Sequence, residues 1–264
     1  MDHTLSAIIL GIIEGLTEFL PVSSTGHLII TGHLLGFTGL KADVFEVVIQ
    51  LGAILAVVIL YWPTFLGLLR PDPQRSFTGA RGIFLLILTS LPASVLGLLV
   101  HKAIKIYLFT PQTVAWALAV GALAILLVEG LSLRTKYTSL DSMTPSLALG
   151  IGCFQCLALW PGFSRSASTI LGAMLLGADR KLATEYSFIA AVPIMIAATG
   201  FDLLSHWTLF ERGDILVLAI GFVFAFVSAW AAVKLFISLV QKISLRPFAY
   251  YRLILAPLVL YFWS

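Results

Sequence analysis

Six stretches of this chain, near 44–62, 82–100, 112–131, 187–204, 215–237 and 250–263, are apolar over about the length of a membrane crossing and carry almost no charge. A helix rises about 1.5 Å per residue, so roughly 20 apolar residues cross a hydrocarbon core of about 30 Å. The runs are too long for barrel strands and lack their alternation of apolar and polar residues, which leaves helices. Charged residues make up 11% of the 264 against 59% hydrophobic, too few to coat a water-soluble globule, and the same apolar richness excludes disorder. The sequence predicts an all-α polytopic membrane protein.

Two further regions are broken. Residues 4–20 stop at Pro21 and resume at 24–36, while 146–160 stop at Pro161-Gly162 and resume at 164–177. A second arm of about 13 residues reaches only some 20 Å, short of a crossing. The economical reading is a re-entrant broken-helix hairpin that enters and leaves by one face with its polar tip buried in protein. A shift of 140 residues aligns Pro21 with Pro161, Ser24 with Ser164 and Gly32 with Gly172, and three spans follow each hairpin. We therefore expect six transmembrane helices plus two re-entrant broken-helix hairpins in an inverted-topology repeat. They form a single integral membrane domain, with pseudo-repeats about 1–131 and 141–264.

Loop charge orients this arrangement. Arg70, Arg75, Arg81, Arg134, Lys136, Arg180, Lys181, Lys234, Lys242 and Arg246 fall on one face, and only Lys41, Lys102, Lys105 and Arg212 on the other. The basic-rich face is assigned to the cytoplasm. Both termini and the mouth of the first hairpin then face outward, and the second hairpin opens inward. The net charge of +3 is scattered between apolar runs, so no nucleic-acid partner is expected. The first segment has no basic n-region and no small-residue cleavage site, so it is expected to stay in place.

Polar residues inside the hairpins point to chemistry. Glu14 and Glu18, spaced i,i+4, project from one helix face with Cβ atoms about 6 Å apart. One of them must hold a proton, or a cation must sit between them, unless both snorkel to an interface. After Pro21, the hydroxyls of Ser23, Ser24 and Thr25 open a helix whose free N–H groups attract anions, a phosphate cradle where the bland alternative is an ordinary N-cap. His27 adds a proton shuttle or nucleophile. Arg165, the only arginine in either broken pair, needs an anion. That anion is a phosphate, gripped bidentately, or one of the two glutamates in an internal ion pair. Glu46 and Gln50 buttress the site or merely pack. Cys153 and Cys156 read as packing thiols on an apolar helix.

The segments EGLTEFLPVSSTGH at 14–27, FEVVIQLG at 45–52 and CFQCLALWPGFSRS at 153–166 resemble the bacterial undecaprenyl-diphosphate phosphatases, also known as bacitracin-resistance proteins, over nearly the whole chain. Ala167 stands where that family usually has glycine. The resemblance implies an inner-membrane enzyme that removes the terminal phosphate of undecaprenyl diphosphate on the periplasmic side. It would thereby recycle the carrier lipid for peptidoglycan synthesis and confer bacitracin resistance. It also implies a divalent cation, Mg or Ca, held by Glu14 and Glu18, and a polyprenyl diphosphate substrate in the bilayer, with a homodimer allowed. By motif the essential acids fall on Glu14 and Glu18, the hydroxyls on Ser23, Ser24 and Thr25, the histidine on His27, and the serine-arginine pair on Ser164 and Arg165. Asp141 and Arg252 match positions that the family treats as sensitive.

The expected reaction is in-line phosphoryl transfer to Ser24, with Glu18 or His27 as base, Glu14 orienting that base or holding metal, and Arg165 on the transferred group. A competing assignment makes His27 the nucleophile. A reading from another class is a secondary transporter or flippase of an anionic lipid, with Arg165 gripping the headgroup and the glutamates carrying protons. A third is a protein that only sequesters lipid.

Overall fold

A computed structural model describes residues 3–206 and 214–263. Arg212, one of the charges assigned to the sparse face, lies outside the described residues. The chain folds into helices α1 (His3–Thr17), α2 (Ser24–Leu35), α3 (Leu40–Leu60), α4 (Trp62–Leu69), α5 (Gly79–Ala103), α6 (Pro111–Gly130), α7 (Pro145–Gln155), α8 (Arg165–Leu175), α9 (Arg180–His206), α10 (Asp214–Val240) and α11 (Arg246–Trp263). A π-helical turn, Ile104–Leu108, extends α5. The described residues contain only an isolated bridge between Tyr137 and Ala178 in place of any strand.

Five helices are long and apolar enough to cross a membrane: α3, α5 with its π turn, α6, α9 and α10. The sixth expected crossing is α11, whose 18 residues include Arg246 and Arg252 and are less apolar. Arg252 is nevertheless fully buried in protein, where a charge avoids the cost of facing lipid. The run predicted at 44–62 ends at Leu60, and the chain restarts as α4 with Pro63 in its first turn, a position that needs no donated hydrogen bond.

Both broken pairs exist, α1 with α2 and α7 with α8. Each second helix is capped by a serine in a conformation that L-residues rarely adopt: Ser23 at φ 70° and Ser164 at φ 78° are the only described non-glycine residues with positive φ. The two caps lie 141 residues apart, not 140, because Gly162-Phe163 at the second tip replaces the single Val22 at the first. The 140-residue alignment therefore holds at the prolines and slips at the caps, where Ser24 matches Arg165, each being the first residue of its helix.

Basic residues of several loops meet at one end of the helices. Arg180 pairs with Glu129 at 2.9 Å and donates to the Ile243 carbonyl at 3.2 Å, Arg246 reaches the Glu129 carbonyl at 3.3 Å, and Arg81 reaches that of Met143 at 3.4 Å. From the other end of the helices, Lys41 pairs with Asp214 at 3.2 Å.

What positions the first pair is close packing of α1 on α10, which in turn lies along α3. Water supplies no driving force between helices in lipid, so small residues that let backbones approach are favoured. Gly11 and Gly15, one turn apart on α1, face Gly221, Ala225 and Ala229 of α10, and a Cβ on either glycine would collide with α10 backbone carbonyls. Gly15→Leu is expected to cost about 1–3 kcal/mol by overpacking and to lower the melting midpoint in detergent by about 5 °C. Gly130→Ala, where the added methyl meets nothing within 4 Å, should leave it unchanged.

Candidate active site

The break after α1 sets the acids. Glu18 lies just past the last turn but keeps a helical bond from its N–H to the Glu14 carbonyl at 2.9 Å, so both carboxylates stay on one face as predicted. Both are buried, with relative exposures of 1% for Glu14 and 9% for Glu18. Glu18 is spanned by the two tips. Its Oε2 accepts from the Ser24 hydroxyl at 2.5 Å, and its Oε1 accepts from Arg165 Nη2 at 3.1 Å. Arg165 also donates from Nη1 to the Ser187 carbonyl at 3.2 Å and lies 5.2 Å from the centroid of the Phe19 ring. Its Nε is buried without a partner, one donor left over for an anion. The serine and the arginine thus meet on one carboxylate, and the internal ion pair coexists with a spare guanidinium donor rather than consuming the group.

Fully buried Arg252 of α11 fastens the tips together. It donates from Nη1 to the Pro21 carbonyl at 3.3 Å and from Nη2 to the Gly162 carbonyl at 3.1 Å, one acceptor from each tip. It also donates to the Leu118 and Ala117 carbonyls of α6, each at 3.2 Å. The guanidinium fits because position 121 is glycine, where any Cβ would strike it. A second tie runs from the Ser166 hydroxyl to the Leu20 carbonyl at 2.7 Å. The residue pattern alone did not single out Arg252. The available signal was an arginine in an apolar run with no acid nearby, which must spend its donors on backbone carbonyls.

The capping serines turn inward to the backbone. Ser23 Oγ accepts from Gly26 N at 3.5 Å, and Ser164 Oγ accepts from Ala167 N at 3.2 Å and shares a hydrogen bond with Ser166 at 3.0 Å. Their hydroxyls accept from the first turns of α2 and α8, and Ser24 and Thr25 face open space. Ala167 sits in the first turn of α8, where a methyl is accommodated.

Ser24, Thr25 and Glu14 line a cavity of about 460 Å³, together with Glu46 and Gln50 of α3 and Asp202 of α9. Glu46 and Gln50 therefore face the site, and Asp202 joins it unanticipated by the sequence. His27 lines another cavity, with Val22 and Tyr251. Its Nδ1 lies 2.7 Å from the Ser23 carbonyl and its Nε2 lies 2.6 Å from the Tyr251 hydroxyl, with the two rings stacked. A carbonyl only accepts, so Nδ1 carries the hydrogen and Nε2 accepts from Tyr251. The structure does not bring His27 to the Ser24–Glu18 pair. Asp141 is also elsewhere, accepting from Phe77 N at 2.7 Å among the basic loops.

The donor set fits a divalent cation in part. Both Glu14 oxygens are buried without a hydrogen-bond partner, which suits a bound cation, whereas both Glu18 oxygens are occupied. The described residues contain no cluster of three or more His, Cys, Asp or Glu able to hold a metal alone. A cation here would rest on Glu14 and draw its remaining ligands from phosphate oxygens and water, as magnesium commonly does.

Residues 7–258 match the family described as bacitracin resistance protein BacA. An undecaprenyl-diphosphatase of Maridesulfovibrio salexigens is 69% identical over 264 residues, covering all of both chains. One from Nitratidesulfovibrio vulgaris is 70% identical over the same span, and one from Lawsonia intracellularis is 58% identical over 96% of this chain and 95% of its own. With a match of this extent over a fold whose two tips close on one carboxylate, the chain belongs to the bacitracin resistance protein BacA family.

Proposed function

We infer that this protein is a membrane phosphatase that hydrolyses undecaprenyl diphosphate to undecaprenyl phosphate and inorganic phosphate, the step that returns the carrier lipid to cell-wall synthesis and gives bacitracin resistance. The family and its undecaprenyl-diphosphatase relatives support this reading. The observation that carries the mechanism is the hydroxyl of Ser24, donating at 2.5 Å to a carboxylate that Arg165 holds from the other side.

In that mechanism Ser24 Oγ attacks the terminal phosphorus and its proton passes to Glu18. The bond between that phosphorus and the bridging oxygen breaks, and the lipid monophosphate leaves with the electron pair. Glu18 gives that proton to the departing lipid monophosphate; water then attacks the phosphoserine as it loses a proton to Glu18, the bond from phosphorus to Ser24 Oγ breaks, inorganic phosphate leaves, and Glu18 returns the proton to Ser24. Arg165, through its spare Nε donor, and the N–H groups that open α2 and α8 spread the charge on the transferred group. A divalent cation, when bound beside Glu14, supplies charge neutralisation at the diphosphate oxygens. His27 serves as a strut between Ser23 and Tyr251 and leaves the base role to Glu18.

For topology we take α3, α5, α6, α9, α10 and α11 as six crossings and α1–α2 and α7–α8 as re-entrant pairs of an inverted repeat. The matching serine caps and the gathering of basic loops at one end support this reading. The charge-rich end then faces the cytoplasm of an inner membrane, and the cavity above Ser24 opens to the periplasm.

Ser24→Ala is expected to lower phosphate release from farnesyl diphosphate in detergent by at least about a thousandfold, in the range seen when a nucleophile is removed. Acid quench of the wild type during turnover should trap phosphate on serine, which survives acid where phosphohistidine does not. Release without any membrane gradient also separates this reading from transport. His27→Gln and Tyr251→Phe should each lower the rate less than about tenfold, with the double variant no worse than the weaker single one, because they break the same strut. A loss in His27→Gln as deep as in Ser24→Ala would return the nucleophile or base role to His27.

A further inference from the structure

The cavity above Ser24 is acidic. Glu14, Glu46 and Asp202 face it, and the one cationic side chain among its described lining residues is Lys105. An anionic diphosphate entering such a cavity needs positive charge beyond Arg165, which is already paired with Glu18 at 3.1 Å. Lys105 is placed to supply it. It lies in the π-helical turn Ile104–Leu108, none of whose residues is buried. Such turns are rare and frequent at functional sites.

The turn is also tied to the tip. The Leu108 carbonyl accepts from Thr113 Oγ1 at 2.5 Å, and the Thr113 carbonyl accepts from the indole N–H of Trp160 at 2.9 Å. Trp160 directly precedes Pro161, so a short chain of bonds links the lysine-bearing turn to the second tip. Among the described residues Lys105 makes no ion pair, although carboxylates share its cavity. A lysine is a flexible point charge suited to a phosphate that arrives rather than to a fixed partner.

Depth assigns the phosphate. Glu14 is 1% exposed at the floor with Ser24, whereas Lys105 is exposed at the rim. A diphosphate with its terminal phosphorus at Ser24 holds its second phosphate nearer the rim, where the lipid chain begins. We propose that Lys105 binds the phosphate that stays on the lipid, so that it recognises the retained end of a polyprenyl diphosphate and not the group that is transferred. This deepens the phosphatase reading and rests on it.

The test is direct binding to the purified full chain in detergent, which needs no turnover. The ligands are farnesyl phosphate, which carries only the retained phosphate, and inorganic phosphate, which carries only the transferred one. Loss of one charge-assisted bond predicts that Lys105→Met weakens farnesyl phosphate binding by about tenfold or more. Affinity for inorganic phosphate should stay within about twofold, and Lys105→Arg should restore most of the lipid affinity. Equal farnesyl phosphate affinities in wild type and Lys105→Met, or a loss shared equally by inorganic phosphate, would overturn the assignment. Phosphate release from farnesyl diphosphate by the wild type, measured alongside, judges the phosphatase reading on its own.

Discussion

A buried ion pair joins the two halves of this protein. Glu18 and Arg165 stand 147 residues apart in sequence and 3.1 Å apart in space, with only 8% and 14% of their side chains exposed. Neither charge is cheap to bury alone, and removing one partner of such a pair typically costs about 3–5 kcal/mol because the other is left uncompensated. The pair therefore makes the meeting of the tips a condition of a stable fold. The carboxylate that satisfies the arginine is also the one that accepts the Ser24 proton, so folding and chemistry draw on the same atoms.

Two features keep that meeting in register. Ser23 and Ser164 hold a positive φ that costs a non-glycine residue about 1–3 kcal/mol, and such strain persists only where the surroundings fix it. Glycine would relieve the strain but forfeit the hydroxyl that caps each following helix. Arg252 supplies the surroundings, taking one carbonyl from each tip and two from α6. Behind them, the glycine face of α1 sets how closely that helix can approach α10.

Much of this was legible in the residues because polar groups in apolar helices have few uses. Glu14, Glu18, Ser24 and Arg165 stood out on that ground, and the breaks at Pro21 and Pro161 announced the tips. Other features were hidden for physical reasons. His27 is one turn from Ser24 and shares a helix face with it by spacing, yet Tyr251, brought in from α11, holds it toward another cavity. The repeat register slipped by one because an extra tip residue is absorbed in backbone geometry that proline alignment does not sense. Asp202 and Lys105 reach the site only through the packing of α9 and the end of α5, which no local pattern encodes. The fully buried Arg252 likewise follows from tertiary contacts.

The equivalence of Ser24 and Arg165 has a chemical consequence. Each opens the helix that follows its own tip, in the same cap geometry. Two identical halves would have set two alcohols or two guanidinium groups face to face, the first unable to hold a charge and the second repelling its twin. The Glu18-centred pairing of an alcohol with a guanidinium thus requires that the two tips differ at this position.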